Sequence, residues 1–173
     1  SIEQQALDSV LAAGASAVEI DLSSSIPFEA MSFNLAVEAT TVFDDAFRED
    51  PKADYGLWPS TFRETQFMTA VQYLRANRLR APLITATERK LRNVDVVLGG
   101  NDLLLTNLTG HPSIVVSCGA DESRGVQLPG VVKLTAAAYQ ESKLLHVAGL
   151  LQESMPPKPS RPPLDELMVA KDE

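Results

Sequence analysis

The sequence contains few of the residues that form metal centres, disulfides or catalytic pairs. Among its 173 residues there is one cysteine, Cys118, and there are two histidines, His111 and His146. A single cysteine excludes an internal disulfide framework and is typical of a reducing cytoplasm. No Cys or His pair has a spacing such as His-x-x-x-His, so we expect no metal site and no cofactor.

Basic charge and long apolar runs are also scarce. The 15 Lys and Arg residues are outnumbered by 23 Asp and Glu residues, which gives a net charge of -8. This balance argues against binding to nucleic acid or to an anionic membrane. No apolar run approaches the roughly 18 residues that cross a bilayer, and the first residues lack the pattern of a signal peptide. We therefore expect a cytoplasmic protein without a nucleic-acid or membrane partner.

The composition that is present, 45% hydrophobic and 22% charged, is that of an ordinary globular domain. We assign residues 1–153 to one domain and residues 154–173, which are rich in proline, to an extended tail. The chain opens on a helical pattern and without Met. Such a start is typical of a processed product or of a piece of a longer protein.

Hydrophobic periodicity predicts alternating helices and strands. Helices are expected at residues 1–13, 28–48, 61–80, 82–92 and 139–153, and strands at residues 17–22, 94–98, 114–116 and 126–136. The last strand contains Pro129-Gly130, which indicates an edge or a bulge, and it follows a charged loop at 120–125. We expect an α/β fold in which a mixed sheet is covered by helices.

Local signals add detail to the helices. Gly14 is placed to end the first helix, and Ser60 to cap the third at its amino end. Within that third helix the spacing predicts an inward face formed by Phe62, Phe67, Ala70, Val71 and Leu74. These helices are expected to pack against the sheet rather than to carry catalytic groups.

The centre of the predicted fold is the stretch 95–119. It joins two apolar runs through a Gly-Gly-Asn-Asp turn at 99–102 and a Thr-Asn-Leu-Thr-Gly-His-Pro element at 106–112. A thiol nucleophile at Cys118 with His111 as its base is one hypothesis for this region. A nucleophile also needs an oxyanion hole, and no helix start follows Cys118 to provide it. The pattern favours a buried structural Cys118, a His111 that bonds backbone at the corner, and a surface His146.

The same stretch carries a resemblance to a known family. Asn107, Gly110 and Pro112 fit an Asn-x-x-Gly-x-Pro element that is followed by an apolar strand and Gly119. This element resembles one in the carboxy-terminal part of the amidase signature family. Other landmarks similar to that family follow in its order, at residues 12–22, 73–80, 95–98, 125–130 and 141–148. The resemblance covers residues 1–153.

The resemblance implies a carboxy-terminal fragment of an amide hydrolase. The family's Ser, cis-Ser and Lys triad surrounds a Gly-Ser-Ser-Gly-Gly motif, which does not occur in these 173 residues. By resemblance the chain supplies sheet and a wall of the substrate pocket, with no catalytic residue of its own. Pocket or structural candidates are Asn107, Gly110, His111, Pro112 and Cys118. The implied partners are the missing amino-terminal half or a second copy of the chain, and a small-molecule amide in the complete enzyme.

Two other functions remain open from the sequence. The chain is a stand-alone, non-catalytic binding or scaffold module of the same fold, or it is a thiol hydrolase that uses Cys118 and His111. A fragment is expected to expose a large apolar face or unpaired strand edges, whereas a stand-alone module is expected to have a closed polar surface.

Overall fold

The computed structural model describes residues 1–100, 103–123 and 126–156, without the side chains of 121–123 and 126–128. Helices combine with a small sheet in the second half of the chain, which confirms the predicted class of a sheet covered by helices. In order they are α1 (Ile2–Ala12), a 3-10 helix (Phe28–Met31), α2 (Ser32–Glu49), α3 (Trp58–Thr65), α4 (Ala70–Leu91), β1 (Val97–Leu98), α5 (Leu103–Thr109), β2 (Ser113–Ser123), β3 (Val126–Thr135) and α6 (Glu141–Ser154). The Pro-rich stretch from residue 157 onward and the pair Asn101-Asp102 lie outside the described residues.

The described sheet has three strands in the order β1-β3-β2, and both pairings are antiparallel. The charged segment predicted as a loop instead continues β2 to Ser123, because its backbone pairs with β3. The expected bulge lies on the partner strand. Ser117 pairs with Val131 and Ala120 with Pro129, so that two β2 residues oppose Gly130. Gly119 provides the positive φ of 76° at this irregularity.

One face of the sheet forms the main core together with α1 and α6. Alternate residues of β2 and β3 point to this face, which is the side-chain period of a strand. The buried members of the core are Ala6, Val116, Cys118, Val132, Leu134, Ala136, Leu144, Ala148, Leu151 and Met155. The helix α1 is held at both ends, since Ser1 caps it and Gly14 ends it at φ 96° as predicted.

Two smaller clusters hold the remaining helices together. Met31, Leu83, Leu105 and Leu108 pack where the 3-10 helix, α4 and α5 meet. On α3, the ring of Phe62 contacts a set of aromatic side chains that come from α2, from the connector and from its own helix, namely Phe43, Phe47, Tyr55 and Trp58.

The helix predicted over residues 61–80 and the break predicted before Pro82 are both wrong. The chain breaks earlier, where Thr69 and Gln72 form a reciprocal capping box that starts α4. This helix continues through Pro82, because buried side chains hold it on both sides of the proline, Ala76 before it and Leu83 and Leu91 after it. Ser60 lies inside α3 and caps nothing, since that helix begins with Leu57 as its N-cap residue.

Of the predicted inward face of this region, Phe62 is buried on α3 as expected, and the other four residues are exposed. Phe67, Val71 and Leu74 are 85%, 56% and 60% exposed. The buried face of α4 is formed by Ala76, Leu83, Thr87 and Leu91. Apolar spacing identified a face that nothing in the described part of the chain covers.

Residues 17–22 do not form the predicted strand. The alternation of apolar and polar residues is present, but a strand also requires a neighbour that accepts and donates backbone hydrogen bonds. Residues 16–20 make no backbone hydrogen bond within the described parts of the chain. The segment runs as irregular chain between α1 and the 3-10 helix.

Candidate functional site

The corner between α5 and β2 contains four of the five candidate residues. Sequence reasoning missed the helix α5, which replaces the expected irregular element at 103–109. Gly110 ends this helix at φ 74° and donates its N–H to the carbonyl of Thr106 at 2.8 Å. Asn107 is exposed on α5, and the carbonyl of Pro112 accepts the N–H of Ala136 at 3.1 Å. The corner is thus tied to the end of β3.

His111 is buried at this corner and both of its ring nitrogens have partners. Nδ1 lies 2.8 Å from the hydroxyl of Thr109, and Nε2 lies 2.9 Å from Oε2 of Glu88 on α4. A carboxylate accepts but cannot donate, so Nε2 carries the proton that bonds to Glu88. We expected His111 to bond backbone at the corner; instead both of its partners are side chains.

Glu88 organises the surroundings of His111, and sequence reasoning did not identify it. The same Oε2 accepts the N–H of Ala138 at 3.0 Å, while Oε1 accepts Nε of Arg92 at 2.7 Å. The Ala138 N–H contributes most to lowering the pKa of Glu88, followed by Arg92 and His111, while burial opposes this. The carboxylate therefore joins α4, the α5–β2 corner and the loop before α6.

Glu88 and His111 are 23 positions apart. No pattern in the sequence around Glu88 indicates that the two side chains meet. A long-range hydrogen bond of this kind has no local pattern. Both ring nitrogens of His111 are engaged in hydrogen bonds. The arrangement therefore has a structural role and leaves no free nitrogen to bind a substrate.

Cys118 lies apart from His111, in the core of the sheet. Its thiol is buried among the residues of the main core, and burial raises its pKa. It lies five positions along β2 from Ser113 beside the corner, which corresponds to roughly 16 Å along an extended strand. A nucleophilic thiol needs a lowered pKa and an adjacent base, and this cysteine has neither.

The described chain has a cleft of about 1100 Å³ beside its first helix. It is lined by one side of α1, by residues 14–20 and 22, and by residues 93–100. The cleft lies beside β1, which is an edge of the sheet. Its charged side chains are the carboxylates Glu3, Glu19 and Asp95, and no Lys or Arg side chain lines it.

The chemistry available to these groups is limited. Among the described residues, no three His, Cys, Asp or Glu side chains are grouped to hold a metal ion. The search of the same residues finds no helix with the length and apolar character to cross a membrane. The cleft and the corner provide walls and backbone edges, and no pair of side chains in them forms a nucleophile and its base.

Comparison with solved structures defines the class of this fold. A peptide amidase from Stenotrophomonas maltophilia superposes with a TM-score of 0.70 at 19% identity, over 94% of this chain and 40% of that one. A structure described as an amidase gives 0.68 at 18% identity, over 90% and 41%. No family model matches the chain, and no curated protein matches it.

A third similar structure is an inhibitor-bound complex, described as a vestigial protein complex that reveals the evolutionary origins of an s-triazine catabolic enzyme. It gives a TM-score of 0.65 at 20% identity, over 88% of this chain and 39% of that one. The chain therefore has an amidase-like fold, and it spans about two fifths of the length of the solved structures that it matches.

Proposed function

We propose that this chain is the carboxy-terminal portion of an amide hydrolase of the amidase signature family. The observation that carries the proposal is the match of nearly the whole chain to only 40% of a peptide amidase. The Asn-x-x-Gly-x-Pro element at Asn107, Gly110 and Pro112 supports the same assignment. In this role the chain completes the sheet and contributes a wall to a pocket for a small-molecule amide.

The reactive groups belong to the part of the enzyme that these residues do not include. An amide hydrolase of this kind needs a Ser nucleophile, a base and backbone N–H groups for the oxyanion. The Gly-Ser-Ser-Gly-Gly motif around which the family's triad lies is absent from residues 1–173. We infer that the isolated chain does not hydrolyse amides.

Within this proposal, Asn107, Gly110 and Pro112 shape the corner, His111 fixes it to Glu88, and Cys118 fills the core. We also propose that residues 1–153 form the amidase-like domain and residues 154–173 a tail, in a reducing cytoplasm that suits the one free thiol. The exposed apolar side chains Leu57, Phe67 and Leu74 disfavour a stand-alone module with a closed polar surface.

The experiment compares two forms of the protein. Ammonia release from a panel of primary amides is measured for the 173-residue chain and for a longer chain that includes the coding sequence preceding Ser1. We expect turnover only by the longer chain, and loss of that turnover when the first Ser of its Gly-Ser-Ser-Gly-Gly motif is changed to Ala. Hydrolysis by the 173-residue chain that disappears in Cys118→Ser would instead support the thiol enzyme. A longer chain without that motif, or without turnover, would contradict the proposal.

A further inference from the structure

We propose that a groove on α4 binds a small monocarboxylate with an aromatic body. This α4 groove lies where the 3-10 helix and the start of α2 meet α4, and it is lined by residues from the ranges 27–33 and 68–79. Its volume is about 290 Å³. It shares no lining residue with the cleft beside β1 or with the α5–β2 corner. The inference goes beyond the proposed function and does not depend on it.

The inner surface of the α4 groove is apolar and firmly held. Met31 and Ala76 line the groove and are buried. Met31 is also part of the cluster in which the 3-10 helix, α4 and α5 meet, so this part of the lining is fixed by packing. Phe33, Met68 and Leu79 line the groove with apolar side chains that remain accessible to solvent. An apolar ligand body that covers them removes apolar surface from water on both partners, which favours binding.

The volume and the methionines define the body of the ligand. At the roughly 30 Å³ that a water-sized group occupies in a liquid, 290 Å³ corresponds to about ten non-hydrogen atoms, which is a phenyl ring with a short chain. The thioether sulfurs of Met31 and Met68 make favourable contacts with ring edges, and their flexible side chains adapt to the shape of a ligand. Phe33 adds a ring for an aromatic contact.

Two hydrogen-bond donors define the charge of the ligand. Gln72 and Arg75 are the polar residues of the described lining, and they lie three positions apart on one face of α4. Oε1 of Gln72 accepts the N–H and the hydroxyl of Thr69 at 2.9 Å in the capping box, which leaves Nε2 as a donor. Arg75 has no hydrogen bond or ion pair among the described residues.

No Asp or Glu side chain of the described residues lines the α4 groove. The guanidinium of Arg75 therefore has no counterion there, although acidic residues outnumber basic ones in the chain. A guanidinium binds a carboxylate through two parallel hydrogen bonds, and the nearby amide of Gln72 can donate a further one. The apolar lining and these donors together select an apolar anion with a single carboxylate.

Chemical-shift mapping by ¹H–¹⁵N NMR on the 173-residue chain tests the site directly. The probe is 3-phenylpropanoate, and 3-phenylpropan-1-ol is the neutral comparison with the same ring and chain. We expect saturable shifts at the amides of residues 27–33 and 68–79. The acid should bind about fivefold more tightly than the alcohol, which is the contribution of one partly solvated ion pair. Propanoate, which lacks the ring, should not saturate the site over the same concentration range.

Two pairs of variants on α4 provide matched controls. Arg75→Gln removes the cation of the groove, and Arg78→Gln removes one that does not line it. We expect Arg75→Gln to weaken binding of the acid about fivefold without affecting the alcohol, and Arg78→Gln to change neither. Leu79→Glu adds a carboxylate inside the groove, and Leu74→Glu adds one outside it. Both leucines are exposed, so both variants should fold, and only Leu79→Glu should weaken the acid, by about tenfold or more.

Several outcomes would overturn the proposal. Shifts centred outside the groove, on the exposed face with Phe67 and Leu74, would show non-specific apolar binding. Equal affinities for the acid and the alcohol, or no effect of Arg75→Gln, would remove the anion. Shifts of the groove amides that depend on protein concentration without the probe would make a second copy the occupant. Loss of probe binding in the longer chain would make the preceding polypeptide the occupant. None of these measurements uses amide hydrolysis, so the site and the proposed function succeed or fail separately.

Discussion

The sheet layer, made of α1, β1–β3 and α6, buries a continuous apolar core, whereas the helical arm, made of α2, α3 and the first half of α4, does not. The buried residues of the sheet layer are mostly aliphatic, with Cys118, Met155 and the polar Thr135 among them. In the arm, the buried residues of α2 are the polar Asn34 and Thr40. Large apolar side chains of the arm lie exposed, namely Val42, Phe43, Leu57, Trp58, Phe67, Met68, Val71, Leu74 and Leu79.

The polar groups of the arm differ in how well they are satisfied. Thr40 shares a hydrogen bond of 2.6 Å with Thr65 of α3, which joins the two helices. The side-chain amide of Asn34 is buried, and neither its Oδ1 nor its Nδ2 has a hydrogen-bond partner among the described residues. Buried amides are nearly always bonded in complete proteins. Among the described residues, the arm therefore has no cover for its apolar side chains and no partner for its buried amide, whereas the sheet layer has a closed apolar core and an open edge at β1.

The largest expected effect is a core truncation in the sheet layer. Leu134→Ala removes a side chain that is 0% exposed in the main core, near the end of β3. We expect it to lower the free energy of unfolding by about 2–5 kcal/mol, because it leaves a cavity. Leu74→Ala removes the same atoms from the exposed face of α4, and its expected effect is below about 0.5 kcal/mol. Urea unfolding measures both, and equal losses would contradict the difference between the two regions.

A smaller effect is expected at the junction of the two regions. Glu88→Ala leaves the N–H of Ala138 and Nε2 of the buried His111 without their acceptor, which costs about 1–3 kcal/mol. Glu64→Ala, an exposed carboxylate on α3, is the matched control and should be nearly neutral. Chemical unfolding at neutral pH measures the two variants, and an equal loss in both would refute the role of Glu88.

The same substitution gives a pH dependence with a defined sign. Because the folded pKa of Glu88 is lowered, its carboxylate stabilises the fold fully above the ordinary Glu pKa, about 4.3, and this contribution disappears as the pH falls through the lowered value. The difference in unfolding free energy between the native chain and Glu88→Ala should therefore shrink in acid. A difference that grows below pH 4 would have the wrong sign for a carboxylate with a lowered pKa.

The smallest effect probes the arm itself. Asn34→Leu replaces an unsatisfied buried amide by an apolar side chain of similar size. We expect it to stabilise the 173-residue chain by about 1 kcal/mol, because the desolvation cost of the amide is removed. In the longer chain, where the missing neighbour bonds the amide, the same change should destabilise. Thermal unfolding shows whether Asn34→Leu raises or lowers the stability of each chain. If the substitution stabilises both chains, the amide has no partner in the complete protein.

The same division explains which features the sequence could predict. The predictions of the helix end at Gly14, the buried Cys118 and the exposed His146 are confirmed, because each depends on neighbours close in the chain or within the sheet layer. The bulge expected at Pro129-Gly130 lies instead on β2, opposite Gly130. The predictions of a strand at 17–22 and of an inward face at Phe67 and Val71 are wrong for this chain. An apolar pattern predicts burial only where a neighbour covers it, and no described residue covers these two segments. The hydrogen bond between Glu88 and His111 was missed because it joins a helix and a corner that are distant in the sequence.

The mass of the protein in its own cells tests the central claim most directly. An antibody raised against residues 1–100 is used to purify the natural product, and intact mass spectrometry gives its size. The account predicts either a polypeptide more than twice the 18.7 kDa of this chain, since the chain spans 40% of the peptide amidase, or this chain bound to a larger amidase portion. An 18.7 kDa species purified without any partner would contradict it.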